Sequence, residues 1–410
     1  MTNKFLIFTT RQMCYHSAGF FAAQMASELE NMGYECELCQ LPEEGIASAQ
    51  GQATYASDCE GAAIQKDIQQ KLEGYIGKEY TAVIDFNSKL PRLVLDDGSC
   101  YLNHIDAPFY NYILDNPLYH HSTLECPLSR YHVLLVDQNH CDYVRRYYSH
   151  IKSAHMLPLG ASIAVSERAF QNKEACVLFM GTYRNPSVYL EQIKKTGGQA
   201  ALDMQHMIEV MQADSACTME NALKKILADS ERVVTDHEFA LMMNYYYPVE
   251  MYLRNAYREQ LITALLKGGI PIKIVGDWWQ NSRYADSPGL QLEKPVRFDK
   301  SFEKIAANAV LVDSSPFFKN GVHDRVFAGM ANHTAVLTDS NPYLEEKFAK
   351  KNLIKTYSLD SMQELCSVAE ELLINGAKRK SMVDKAFEEY EKAYRWHNVA
   401  ERFVEDCLEK

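Results

Sequence analysis

Short apolar runs alternate with amphipathic helical stretches along almost the whole chain, and that alternation narrows the fold more than any other feature. Residues 4–9, 34–39, 82–86, 131–136 and 154–157 read as strands in the first part, and 175–180, 271–275, 291–292, 309–312, 334–337 and 353–355 in the second. Residues 93–95 and 101–105, either side of Asp96-Asp97-Gly98, read as a hairpin. Helical periodicity fills most of the intervals: near 17–31, 62–75 and 139–148, through 187–267, and over 361–374 and 377–410. The segment 43–61, rich in small and polar residues, reads as a loop. Strands spaced by helices call for parallel sheets covered on both faces. The expected class is α/β, with two Rossmann-like doubly wound lobes and a helical insertion at 187–267 in the second. Pro158-Leu159-Gly160 interrupts the pattern and marks a boundary. The lobes are expected at 1–160 and 161–395, with a final helix at 396–410 packing back on the first. Ligands of such sheets bind beyond the carboxyl ends of the strands, so both lobes are expected to face a common cleft.

Composition removes several alternatives. The 410 residues carry a net charge of −12, which disfavours nucleic acid as a main partner. Eleven cysteines are scattered without a repeated spacing, and the close pair Cys36 and Cys39 has no second pair to complete a zinc site. Free thiols in a reducing compartment follow. The opening apolar run is too short for a signal peptide and no stretch reaches transmembrane length, so a cytoplasmic protein is expected. Asp-x-Asp, Gly-x-x-x-x-Gly-Lys-Ser/Thr and His-Glu-x-x-His are all missing from the sequence, and the first strand is not followed by Gly-x-Gly-x-x-Gly.

One block carries chemistry. The loop Asn320-Gly321-Val322 leads into a helix that opens with His323, Asp324 and Arg325, and 335–337 then reads as a fully buried strand. A helix start offers unpaired N–H groups and a positive dipole end. With a guanidinium and an imidazole added, it becomes a seat for a diphosphate that needs no metal. A plain surface helix start remains the alternative.

Residues 270–345 resemble the nucleotide-sugar lobe of GT-B glycosyltransferases, in particular the bacterial spore-maturation-protein-type group. The resemblance rests on Gly276-Asp277-Trp278-Trp279, on Leu311-Val312-Asp313 and on Gly321-Val322-His323-Asp324-Arg325-Val326-Phe327. The ending Tyr394-Arg395-Trp396-His397 and, upstream, 103–108 and 157–160 are similar to the same group; 190–250 is not. The resemblance implies a metal-independent hexosyltransferase-like enzyme with no cofactor beyond its nucleotide-sugar co-substrate. It would move a sugar to a hydroxyl of a glycan, peptide, protein or small molecule, with the acceptor on the first lobe. In many retaining relatives a helix carboxylate holds the ribose, and Ala328 stands at that place here. That departure keeps open a second reading, a non-catalytic nucleotide-sugar or sugar binding protein of the same architecture.

On this reading Arg325 pairs with the diphosphate, His323 donates a hydrogen bond and Asp324 orients Arg325 or caps the helix. Gly181, Thr182 and Tyr183 offer a close backbone approach and a hydroxyl. Gly276, Asp277 and Trp278 flank the base, and both tryptophans are expected to be covered. Asp106, placed at a strand end, is the candidate general base, with His104 and His16 in reserve. The tyrosines at 245–247 read as a binding platform or as helix packing, and His120-His121 as a polar loop.

Overall fold

The computed structural model describes residues 3–11, 13–41, 66–166 and 169–408; the loop expected at 43–61 and the first turn of the helix expected from 62 lie outside the described residues. The chain forms two compact units. One comprises Met1–Leu159, Val234–Tyr245 and Trp396–Lys410; the other comprises Gly160–Val233 and Tyr246–Arg395.

The first unit is built on β1 (Lys4–Thr9), β2 (Glu35–Gln40), β3 (Ala82–Phe86), β4 (Phe109–Ile113), β5 (Tyr131–Leu135) and β6 (Ser153–Met156). All run parallel in the order β2-β1-β3-β4-β5-β6. Every residue of β3, β4 and β5 is buried, as expected of parallel strands covered on both faces. Helices α1 (Ser17–Asn31), α2 (Lys66–Glu73), α3 (His121–Leu124) and α4 (Gln138–Tyr147) belong to this unit. At the edge strand β2, Cys39 is buried while Leu38 is 52% exposed.

Two sequence expectations fail here. Residues 93–105 do not form a hairpin: Val94 and Cys100 make one isolated bridge, and Tyr101–His104 is a 3₁₀ turn. Apolar spacing over so few residues cannot separate a strand from a buried turn. The strand is β4, which the polar Asn111 at its centre disguised. That amide is buried and satisfied, accepting from Ser88 N at 3.0 Å and donating to the Tyr131 hydroxyl at 3.1 Å.

The second unit holds β7 (Glu174–Met180), β8 (Ile272–Val275), β9 (Leu290–Glu293), β10 (Asn308–Val312), β11 (Ala335–Asp339) and β12 (Lys355–Tyr357). These are again all parallel, in the order β12-β11-β10-β7-β8-β9. Helices α5 (Ser187–Thr196), α6 (Gly198–Ala213), α7 (Met219–Asp229), α8 (Asp236–Tyr245) and α9 (Tyr247–Lys267) fill the connection between β7 and β8. Then come α10 (Phe298–Ala307), α11 (Asp324–Ala331), α12 (Pro342–Leu344), α13 (Gln363–Ile374), α14 (Gly376–Ala393) and α15 (Trp396–Arg402). Helix α11 buries Val326, Phe327 and Met330, and Phe327 stacks on Tyr394 at 4.3 Å. Gly329 is fixed by contact with the sheet, because a β-carbon there would lie 2.3 Å from Val336 Cγ2. After the helix, His333 (φ 49°), not Asn332, takes the left-handed conformation. Asn332 instead donates to the Ala328 and Ser162 carbonyls at 2.8 and 3.0 Å.

Two segments from the second half of the sequence build the first unit. Phe239 of α8 stacks on Tyr147 at 4.9 Å, and Asn244 donates to the Leu118 carbonyl at 2.7 Å. The chain re-enters the second unit at Tyr246, which is buried and donates to Asp203 at 2.8 Å. At the C-terminus, Trp396 packs on Phe21, Phe403 lies between Phe5 and Tyr110, and the Tyr110 hydroxyl donates to the Cys407 carbonyl. Among the described residues no helix is long and apolar enough to cross a membrane.

Candidate functional site

Strand order reverses in the second unit between β7 and β10, and the loops leaving those two strands diverge around a crevice where ligands of doubly wound sheets bind. The β7 exit is Gly181-Thr182-Tyr183 and the β10 exit starts at Asp313. Gly276, at the β8 exit, holds this edge together. A β-carbon on it would sit 2.0 Å from the Gly181 carbonyl oxygen, so only glycine permits the approach. Tyr183 N donates to the Asp277 carbonyl at 2.9 Å, and Trp279 Nε1 donates to the Gly181 carbonyl at 2.7 Å. The Gly-x-x-Trp motif therefore clamps the Gly181 loop. Trp279 is buried against Phe179 and Tyr183, while Trp278 is 55% exposed with φ 68°. The expectation that both rings are covered is thus corrected, since the left-handed turn sends them to opposite environments.

Helix α11 starts where the sequence placed it, with different partnerships. His323 is the N-cap, its Nδ1 lying 3.3 Å from Arg325 N and 2.6 Å from Asp324 Oδ1. Asp324 therefore neither caps the helix nor holds Arg325. Arg325 Nη1 pairs with Asp313 Oδ1, and Ser315 Oγ donates to Asp313 Oδ2 at 2.5 Å. Burial alone would raise the Asp313 carboxyl, but Arg325 and His323 outweigh it and hold the pKa at about 2. Burial also opposes ionisation of Asp324, and His323 and Arg325 again bring it below the usual carboxylate range. Asn320 and Gly321 lead into this start, Val322 is buried, and Asn341 Nδ2 donates to the Gly321 carbonyl at 3.1 Å.

The sequence reading missed the cations on α9. Glu250, Arg254 and Arg258 follow one another at four-residue spacing, beside the apolar ridge Val249, Leu253, Tyr257 and Leu261. Glu250 is fully buried and pairs with Arg254. Arg258 donates to the Thr182 carbonyl at 3.3 Å, and its guanidinium carbon lies 3.9 Å from the β-carbon position of Gly181. Its Nε is buried without a hydrogen-bond partner. Burial, then the nearby Arg254 and Arg325, lowers the Arg258 pKa to about 9. Three guanidinium groups thus gather around the β7/β10 crevice, Arg254 and Arg325 each paired with a buried carboxylate and Arg258 bonded to a backbone carbonyl. The available signal was a charged ridge running beside the apolar ridge of α9 instead of opposite it. A separate groove of about 600 Å³ along α9 is lined by Tyr252, Glu259, Thr263, Arg283 and Asp360, and by neither Arg254 nor Arg258.

The first unit has its reversal between β1 and β3. Asp85, at the end of β3, is fully buried and accepts from the Thr10 hydroxyl, from Ser88 Oγ at 2.5 Å and from Phe86 N at 2.9 Å. Burial pushes its pKa up to about 6 despite those bonds. His16 lies in the loop leaving β1, where Tyr15 (φ 59°) and His16 (φ 63°) are both left-handed. Two such residues in succession cost on the order of 1–3 kcal/mol each and mark a specified loop shape. His120 is buried, and burial followed by Arg11 against the opposing pull of Asp115 sets its pKa at about 4. It is not part of a polar loop.

Asp106 and His104 are corrections. Both precede β4, so they lie at the entry edge of a parallel sheet, opposite the edge that carries His16. Asp106 is 69% exposed and pairs with Arg130 at 3.0 Å; His104 Nε2 lies 2.7 Å from Ser99 Oγ. Reading 101–105 as a strand inverted their position.

Residues 254–405 match the model of a family described as glycosyl transferase-like. No curated protein sequence matches the chain. Solved structures do. Sucrose-phosphate synthase from Thermosynechococcus elongatus superposes with TM-score 0.55 at 10% identity, over 98% of this chain and 97% of that one. An alpha-glucosyltransferase in complex with UDP and a DNA 13-mer gives 0.53 at 10% identity, over 99% of each chain. WaaG, a glycosyltransferase involved in lipopolysaccharide biosynthesis, gives 0.50 at 11% identity, over 98% of this chain and all of that one. Two parallel six-stranded sheets with flanking helices are the GT-B fold of these glycosyltransferases.

Proposed function

We propose that this protein is a glycosyltransferase that transfers a sugar from a nucleoside-diphosphate sugar to an acceptor hydroxyl, with arginines rather than a metal ion neutralising the leaving diphosphate. One observation carries the reading: Arg254, Arg258 and Arg325 gather at the strand-order reversal of the second unit, beside the Gly181 loop. As the sugar–phosphate bond breaks, negative charge grows on the departing diphosphate. Guanidinium groups already held in place by Asp313, by Glu250 and by the Thr182 carbonyl meet that charge without reorganising. The β7 exit, clamped by Gly276 and Trp279, lets the phosphates approach the backbone, and Trp278 is exposed for the base. His323, bonded to Asp324, faces the sugar or a phosphate oxygen from the start of α11.

On the acceptor side, the exit edge of the first sheet replaces Asp106 and His104 as the place to seek the general base, and His16 stays the candidate. Asp85 is closed off by Thr10 and Ser88 and serves the loop's structure. Ala328 is buried within helix packing and so gives no support to a merely binding protein. The test is a panel of UDP, GDP and dTDP sugars assayed for nucleoside diphosphate release in chelator, with and without sugar and lipid-linked acceptors. Turnover that persists without divalent metal is expected. Tight donor binding with no release under any condition would overturn transfer and leave the binding protein.

A further inference from the structure

His121, Glu125 and His237 bring three metal-ligating groups together within the first unit. His121 opens α3 and Glu125 follows four residues later, so both side chains share a face. His237 arrives on α8, from the other half of the sequence. His121 Nε2 lies 3.0 Å from Glu125 Oε2, and His237 Nε2 lies 2.8 Å from Glu125 Oε1. One ligand atom from each residue lies within 4.8 Å of the other two. The two rings stand 6.1 Å apart, inclined at 55°.

A second observation bears on the ligand atom. His121 is 1% exposed, and its Nδ1 lies 2.9 Å from the Tyr148 hydroxyl. With Nδ1–H donating to that oxygen, Nε2 keeps its lone pair, and it has no hydrogen-bond partner among the described residues. An outer hydrogen bond on one ring nitrogen that presents the other is how ligating imidazoles are held.

We propose that His121, Glu125 and His237 form a binding site for a divalent transition metal of the zinc class, which fastens α8 to α3. Two imidazoles and one carboxylate suit Zn²⁺ and disfavour Mg²⁺ and Ca²⁺, which take oxygen ligands; water completes the tetrahedron. The metal holds a helix whose sequence neighbours, α7 and α9, belong to the second unit. Its place is structural, and the diphosphate chemistry proposed above does not pass through it.

The test uses the full-length protein stripped by chelator, titrated with Zn²⁺ against a chromophoric competitor and with Co²⁺ by visible absorption. Expected are one tight equivalent, Co²⁺ bands of a four- or five-coordinate ion, and a rise in Tm with metal. His237→Ala, on an exposed helix face, is expected to fold and to lose that equivalent, and Tyr148→Phe to weaken it roughly 10-fold or more. The difference between wild type and His237→Ala separates this site from binding by free thiols. Equal stoichiometry and affinity in the two proteins would overturn the proposal, as would a wild type that takes up no Zn²⁺ or prefers Mg²⁺.

Discussion

The two sheets share a parallel, six-stranded plan, yet the carboxyls at their two strand-order reversals meet opposite kinds of partner. In the first unit the carboxyl at the reversal, Asp85, has hydroxyls and backbone N–H groups as partners, and its pKa rises to about 6. In the second the corresponding carboxyl, Asp313, meets Arg325 and falls to about 2. The same backbone geometry thus gives one carboxyl neutral hydrogen-bond donors and the other a guanidinium. Topology offers the crevice; the side chains at the two reversals decide which one draws an anion.

The comparison breaks most visibly at Arg325. Arg325→Ala strands a buried carboxylate, so a loss of about 3–5 kcal/mol in unfolding free energy is expected by denaturant titration, together with loss of transfer. Adding Asp313→Asn should restore much of the stability and none of the activity. If Arg325→Ala alone left the denaturation midpoint unchanged, the contrast between the two carboxyls would be void. Gly276→Ala drives a β-carbon into the Gly181 carbonyl and is expected to cost at least about 2 kcal/mol, with donor binding falling in parallel. Arg258→Ala is the cleaner probe of charge. It leaves no bonded carboxylate behind, so about 100-fold loss in kcat, roughly 3 kcal/mol of barrier, should come with a near-native melting temperature.

A titration sharpens the difference. Asp85, and likewise Asp339 with its pKa near 6, binds its proton more tightly in the folded state than in the unfolded chain, where an aspartate carboxyl ordinarily titrates near 3.8. Each therefore contributes stability that is full below about pH 4 and fades as pH rises towards 6, on the order of 3 kcal/mol per group. Asp313 has the opposite sign: its contribution is present above about pH 4 and vanishes as pH falls towards 2. Asp85→Asn should flatten the pH 4–6 limb of the stability profile and cost little at pH 7, because the Thr10 and Ser88 hydroxyls can turn to accept. An unchanged limb in Asp85→Asn and Asp339→Asn would remove the titration argument. The smallest effect is expected at Asp106→Ala, within 2-fold of wild-type turnover and under about 1 kcal/mol, as for other exposed ion pairs.

Much of the architecture was readable because buried parallel strands appear as continuous apolar runs, as in 4–9, 82–86, 308–312 and 335–339. Strand β4 was hidden by Asn111, whose burial depends on Ser88 and Tyr131 from neighbouring elements. At the site, the α11 start was legible as local helix chemistry. Arg254 and Arg258 were not, because a guanidinium on a long helix reads as a solvated face until the crossover folds it over Gly181. The partner of Arg325 was likewise beyond sequence spacing, since the β10 exit meets α11 only in three dimensions.

The discontinuous first unit has a consequence for how this chain acquires its structure. Its aromatic contacts Phe5–Phe403 and Tyr110–Phe403 join segments far apart in the sequence. During synthesis on a ribosome that core stays unfinished until Phe403 leaves the exit tunnel, whereas the second sheet has all its strands by Tyr357. The later-made unit can therefore mature first, and expressing residues 1–160 alone should yield an aggregating fragment.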